Sequence, residues 1–420
     1  MPATSTTAAA TFPARSLRRA IIGGLAYAAI ALTMAATLPP LTLNAAEQAP
    51  APLPSCASCA WTVADVDALI AEIAQAEGEG LDPVAYDAAG LRSIAERSGQ
   101  SAALDAAAES AALTLAHHYL LGRVADRARQ GWTIARTDDD PAALAAGLHA
   151  ALGEARLRPW LRSLLPGDAR YVALRTAYAA TPADSADHVR IRTNLERWRW
   201  MPRELGADHI YVNVPSYTLA VVDGGVPVSA YDVVVGAPAT PTPQMSALAR
   251  TVVVNPSWHV PASIVRSSRM QAGKPGFILT TLGNGTVAFS QPPGPGNALG
   301  RIKIDMPNPN AIYLHDTPAK ALFQRTSRAF SHGCIRVKDI ARLAAELVEL
   351  DEGSPRQVAA AMTGYRTTPV RLQTARPVYI VYFTADADQS GAVTTYGDPY
   401  GYDSRVLAGL DGKPVQMASN

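Results

Sequence analysis

The hydrophobic pattern of this chain changes period once, near residue 210, and that change limits what the chain can fold into. Before it, apolar residues recur at helical spacing: Val63, Val66, Leu69, Ile70 and Ile73, then Leu113, Ala116, Leu120 and Val124. After it, Ile210, Val212 and Val214 alternate with Tyr211 and Asn213, and Arg301-Ile302-Lys303-Ile304-Asp305 alternates in the same way. Helical and strand periods do not substitute for each other. The chain therefore reads as α+β and multidomain, an all-α part followed by a mostly-β part, and its 420 residues are ample for both.

Punctuation supports this division. Gly78 and Gly80 end the first helix, and Gly131-Trp132 ends a long one over 104–128. Asp140-Pro141 supplies an N-cap and an N1 proline for a helix to about Leu152. Further helices are expected over 159–165 and 168–180, which makes 61–190 a helical scaffold domain. A basic, aromatic helix over 188–200 carries Arg190, Arg192, Arg197 and Arg199. It reads as a connector whose arginines are solvated or salt-bridged, with a grip on glycan as the sharper alternative. Beyond it, Asp223-Gly224-Gly225 and Asn284-Gly285 are hairpin signals among many short strands, which indicates a sandwich or barrel. Thr317-Pro318 should open a helix to about Arg325, and Asp339 another with Ile340, Leu343, Leu347 and Leu350 on one face. The Gly/Pro-rich stretch 262–300 suits a gate over a polymeric substrate, with a plain surface hairpin as the alternative.

Arg15, Arg18 and Arg19 precede an uncharged, apolar run from Ala20 to Leu43, the layout of an export signal or signal anchor over 1–46. A Pro/Ala-rich linker over 47–60 holds Cys56 and Cys59, which an oxidising compartment would pair. Cys334 is then the odd thiol. The net charge of +1 argues against nucleic acid as a partner. His117, His118 and His149 have no acidic or cysteine residue at ligand spacing and read as polar-face or satisfied core histidines.

Ser331-His332-Gly333-Cys334-Ile335-Arg336-Val337 carries the chemistry, with His315 nineteen residues before the cysteine. At neutral pH a free thiol is only a few per cent thiolate. An adjacent imidazole takes its proton and leaves an imidazolium that stabilises the sulfur anion. Gly333 permits a sharp turn, with its N–H and that of Cys334 turned toward a developing oxyanion. Arg336 suits a carboxylate. Zinc held by His315, His332 and Cys334, with Asp316 or His259, is the weaker reading, since His332 and Cys334 make an awkward chelate.

These residues resemble the signature of the L,D-transpeptidase catalytic domain. So do Asn194-Leu195-Glu196-Arg197-Trp198-Arg199-Trp200, Asn255-Pro256-Ser257-Trp258, Gly294-Pro295-Gly296-Asn297 and Leu322-Phe323. The similarity runs from about Asn194 to about Tyr402 and points to the larger Gram-negative type with a helical scaffold. It implies a sandwich-like catalytic domain over 191–402 with two or three helices, a capping lid over 262–300 and a tail over 403–420. It also implies an acyl transfer on peptidoglycan stem peptides without cofactor or metal. Cys334 attacks the diaminopimelate (or lysine) carbonyl of a tetrapeptide stem, D-alanine leaves, and an amine takes the acyl group. His315 is the implied base, the Asp316 carbonyl orients its ring, His332 supports the loop and the Gly333 N–H serves the oxyanion. Arg336, Trp258, Tyr313 and Ser331 are candidates to contact substrate. The family often inserts a peptidoglycan-binding module before the Asn194 helix; residues 181–188 are too few for one. Wall-synthesis proteins are then expected partners, with the periplasm as the location and the membrane reached only through the N-terminal segment. An L,D-carboxypeptidase, with water as acceptor, and a non-catalytic wall-binding scaffold are the alternatives.

Overall fold

The computed structural model describes residues 61–413, apart from 126–128, 137–139, 268, 271–272, 284 and 389. The expected export segment, the linker, the Cys56–Cys59 pair and the last seven positions of the tail lie outside the described residues. Among the described residues no helix is long and apolar enough to cross a membrane.

The first part is helical: α1 (Val63–Gln75), α2 (Ala88–Ser98), α3 (Ala102–Leu121), α4 (Pro141–Gly153), α5 (Leu157–Ser163), α6 (Ala169–Ala180) and α7 (Ala186–Trp200). Local chemistry fixes the starts. Thr62 and Asp65 form a capping box on α1. Asp140 accepts from the Ala142 N–H at 2.9 Å, with Pro141 behind it on α4. Asp168 and Ser185 cap α6 and α7.

Strands follow: β1 (His209–Asn213), β2 (Thr218–Asp223), β3 (Val226–Gly236), β4 (Met245–Val254), β5 (Trp258–His259), β6 (Ile278–Thr281), β7 (Val287–Gln291), β8 (Ile302–Asp305), β9 (Leu314–His315), β10 (Ala329–Ser331), β11 (Ile335–Val337), β12 (Thr368–Val381), β13 (Ala385–Ala387) and β14 (Val393–Thr395). Helices α8 (Ala262–Ser267), α9 (Ile340–Leu350), α10 (Arg356–Ala361) and α11 (Asp403–Leu410) lie between and after them. The main sheet has nine strands in the order β10-β3-β11-β9-β8-β4-β12-β1-β2, and β2 also pairs with β3, so the pairings close on themselves. Closure leaves few edges exposed and encloses a core of Ile210, Val212, Val233, Val252, Ile304, Leu314, Ile335 and Ile380, covered by Leu343 and Leu347 of α9.

Three local expectations change. Thr317-Pro318 opens only a 3₁₀ turn (Lys320–Gln324), because Ala319 stands at its cap position with no side-chain acceptor. Asp339 precedes α9 in the left-handed region at φ 51° and makes no side-chain cap. The expected tail begins with α11, which buries Val406 and Leu410.

The stretch between β5 and β8 forms a separate three-stranded sheet, β5-β7-β6, with α8. Its two stems are clasped. Asn255, at φ 52°, donates from Nδ2 to the Ala361 and Arg366 carbonyls and accepts from Arg301 Nε at 2.7 Å. Asn297 donates from Nδ2 to the Pro256 carbonyl at 2.9 Å.

Helix α7 is no solvated connector. Residues 193–200 are buried throughout, and Leu195, Trp198 and Trp200 join a core shared by the helical part, β1, β12 and α11. Glu196 and Arg199 are both fully buried and pair at 2.7 Å. Glu196 also accepts from the Val124 N–H and from Trp200 Nε1, and Arg199 donates to the Glu79 carbonyl. On its other side α7 reaches toward the strands. Asn194 exchanges two hydrogen bonds with Thr384, and Arg197 pairs with Asp403 at 2.6 Å. A further stitch joins Trp132 to Gln244, just before β4. There the Thr133 N–H donates to the Gln244 carbonyl and the Gln244 N–H to the Gly131 carbonyl.

Gly122 ends α3 at φ 85°, and a Cβ there would lie 2.4 Å from Glu196 Oε1 and 2.6 Å from Trp200 Nε1. Gly122→Ala should cost about 2–4 kcal/mol in denaturant unfolding, from left-handed strain plus displacement of the buried pair. Gly99→Ala, at φ 55° with nothing within 4 Å of the new methyl, should cost only about 1 kcal/mol. Equal costs would show that the close approach at Gly122 carries no energy.

Candidate active site

The site grows out of one strand pairing. β9 and β11 run parallel, with Leu314 opposite Ile335 and His315 opposite Arg336, and the Ile335 N–H donates to the Tyr313 carbonyl at 3.1 Å. Side chains alternate along a strand. Leu314 and Ile335 fill the core, so His315 and Arg336 share the opposite face; Tyr313 and Cys334 directly precede the two strands, and Cys334 also packs against the core. The rings of Tyr313 and His315 meet edge to face at 5.5 Å. Sequence positions nineteen apart are thus brought together by one register.

Cys334 is a free cysteine, half-buried, its Sγ 3.7 Å from the Ala311 carbonyl. Burial pushes its thiol pKa up, against hydrogen bonds from the Tyr313 backbone and phenol and the charges of Lys303 and Arg336. His315 is buried, and its pKa is pushed down to about 3 by burial first and by the Arg336 charge second. The Asp316 backbone carbonyl works the other way but does not prevail, and Nδ1 has no partner at hydrogen-bond geometry. Burial thus disfavours the charged form of both groups, which works against the thiolate–imidazolium pair expected from sequence.

The nucleophile loop is held differently from the expectation. The Gly333 N–H donates to Ser331 Oγ at 3.1 Å, so it is already engaged and does not face a substrate. Ser331 is buried and its hydroxyl donates to the Cys334 carbonyl at 2.6 Å, which braces the loop. His332 is exposed and makes no hydrogen bond among the described residues, so the support assigned to it comes from Ser331. Gly333 takes φ 110°, and its carbonyl accepts from Thr242 Oγ1 at 2.7 Å. Thr242 is held in turn, its N–H donating to Tyr400 Oη, which donates to the Gly236 carbonyl. Nothing in Thr240-Pro241-Thr242-Pro243 announced this role.

The Asp316 carboxylate is occupied by the Arg301 N–H at 2.9 Å and by the Lys320 ammonium, with Gly300 close against it. Arg336 is half-buried, pairs with no carboxylate among the described residues, and has an unpartnered, buried Nε. Trp258 stands on β5 at the root of the small sheet, half-buried, its Nε1 without a partner, and close enough to influence the Tyr313 phenol. Lys303 of β8 lies opposite His315 with its Nζ 5.2 Å over the Tyr313 ring. Sequence analysis read its strand and missed its place at the site.

Residues 207–380 match the family model YkuD, described as the L,D-transpeptidase catalytic domain, and residues 57–177 match the Scaffold domain model. A Haemophilus influenzae protein named "Putative L,D-transpeptidase" is 30% identical over 253 residues, which cover 54% of this chain and 51% of that relative. The chain thus spans about half the length of that curated relative. An L,D-transpeptidase structure from Mycobacterium smegmatis aligns at 15% identity and TM-score 0.23, covering 42% of this chain and 58% of that one. The catalytic domain of the E. faecium L,D-transpeptidase acylated by ertapenem aligns at 15% identity and TM-score 0.20, covering 42% and 99%.

Burial of the pair sets a pH dependence. Cys334 carboxamidomethylation should accelerate with pH through and beyond the ordinary thiol range, with no step near 6.5. A plateau reached by pH 7 would mean an ion pair instead. The sign for stability follows the same site. Between about 6.5 and about 3 the unfolded chain binds a proton that folded His315 refuses, so stability falls as pH drops through that window.

Proposed function

We infer that this chain, whose residues 207–380 belong to the L,D-transpeptidase catalytic domain family and whose residues 57–177 are a Scaffold domain, is a cysteine acyltransferase of peptidoglycan stem peptides. The observation that supports this reading is the parallel register that pairs His315 with Arg336, two residues after Cys334, with Arg336 left without a carboxylate among the described residues.

Cys334 attacks the diaminopimelate carbonyl of a tetrapeptide donor as its proton passes to His315, so charge develops only with bond formation. The oxyanion is met by the Cys334 N–H, since that of Gly333 is engaged by Ser331. Collapse of the tetrahedral intermediate breaks the amide bond, and His315 returns its proton to the departing D-alanine amine. The thioester is then attacked by an acceptor amine, which gives its proton to His315 as Cys334 is released. A 3→3 cross-link or an attached protein results. Arg336 holds a donor carboxylate in a bidentate fork. Trp258 and Tyr313 wall the donor site beneath the small sheet. The basic-then-apolar segment over 15–43 supports work in the periplasm, with the protein exported or anchored there.

Purified full-length protein incubated with tetrapeptide stems should release D-alanine and yield amine adducts when an acceptor is present. Release of D-alanine with tripeptide as the only product would make it an L,D-carboxypeptidase. Cys334→Ala should remove both products with the unfolding midpoint unchanged, and His315→Ala should slow release roughly 10²–10⁴-fold. Ordinary turnover by Cys334→Ala would end the acyl-enzyme account.

A further inference from the structure

Across the sheet, Lys303 of β8 lies opposite His315 of β9, and His315 opposite Arg336 of β11. The three therefore form one row on one face, with the imidazole in the middle. Adjacent strands are about 4.8 Å apart, so the two cationic residues start about 10 Å apart on either side of it. Lys303 sits over Tyr313, whose ring touches that of His315, and its charge reaches both Cys334 and His315. Its ammonium is shared with Asp305 Oδ1 at 3.1 Å, a carboxylate about 42% exposed and so largely answered by water. Arg336 has no such partner. The nearby Asp316 does not cancel either charge, because it is spent on Lys320 and the Arg301 N–H.

We propose that Lys303 is a second carboxylate seat, across His315 from Arg336, so that the site takes a donor with carboxylates on both sides of its scissile amide. This deepens the acyl-transfer reading and rests on it for the identity of the donor. A C-terminal amino acid leaving group brings one carboxylate. The other is the side-chain carboxylate of a diamino dicarboxylic acid, which stays with the acyl-enzyme. Lys303 gives a point charge, suited to a group that shifts between the two steps, where Arg336 offers a rigid fork. A donor with a lysine in place of the dicarboxylic residue would bring an ammonium toward Lys303 and be disfavoured.

The test needs no turnover. Iodoacetate and iodoacetamide differ chiefly in charge, and both alkylate a thiol by forming an S–C bond with loss of iodide. Rates at Cys334 are read by mass spectrometry of its peptide in the full chain, which separates it from Cys56 and Cys59. The ratio of the iodoacetate rate to the iodoacetamide rate cancels changes in thiol reactivity and reports the local potential. Lys303→Gln should lower that ratio roughly threefold to tenfold, and Lys303→Arg should keep it. Added salt should lower it in the parent protein more than in Lys303→Gln. An unchanged ratio in Lys303→Gln overturns the seat, and so does an equal loss in Lys303→Arg, which would make packing the cause. With stem donors, Lys303→Gln should raise KM for the dicarboxylate donor and leave that for its side-chain amide unmoved. A ratio that falls as expected in a protein that transfers no acyl group would sink the enzymatic reading and keep the seat. Transfer with an unmoved ratio would do the reverse.

Discussion

Glu196 and Arg199 lie one turn apart on α7, both wholly out of water, and the rest of the molecule is arranged so that this can persist. A buried ion pair repays its desolvation only when the remaining polar atoms also find partners. Here they do: the Val124 N–H, Trp200 Nε1 and the Glu79 carbonyl complete the set. Each partner comes from a different stretch of the helical part, so the pair fixes α7 against α3 and against the end of α1. With α7 set, Asn194 and Arg197 meet Thr384 and Asp403, which positions the chain leaving β12. The sheet that holds the site is thus registered against the helices by polar contacts and by the shared apolar core.

Much of this was legible in sequence, for definite reasons. The change of hydrophobic period separates the parts because a helix and a strand bury different spacings. The β9–β11 pairing was not legible, because Ile335-Arg336-Val337 read as part of the nucleophile stretch and its partner is set by the sheet. What also could not be read is which polar group meets which. The arginines of α7 look like surface residues by composition, yet Arg197 and Arg199 are buried, Arg197 paired with distant Asp403 and Arg199 with Glu196 one turn back. His332 looked like a loop support and is exposed, while Ser331, taken as a substrate contact, supplies the hydrogen bonds that hold the turn. Thr242 enters through a loop side-chain hydrogen bond and Lys303 through sheet register, neither of which a local pattern encodes.

The site's electrostatics follow from its depth. Burial disfavours charge on both thiol and imidazole, and cationic residues stand on either side of them. Such a site is quiet toward adventitious electrophiles, and an anionic substrate that neutralises Arg336 would relieve the charge that most opposes protonation of His315 after burial. On the proposed acyl-transfer reading, substrate charge and proton transfer are coupled through one guanidinium.

The apolar core that the helices share with β1 and β12 has a consequence for any attempt to make this protein smaller. Tyr211 and Tyr379 are buried in one cluster with Trp198, Leu195 and their neighbours. A catalytic fragment cut out along the 207–380 boundary would lose that cover, together with the Gln244 stitch beside the Thr242 segment that steadies Gly333. Shortening this chain is therefore a surface-redesign problem before it is a question of chemistry.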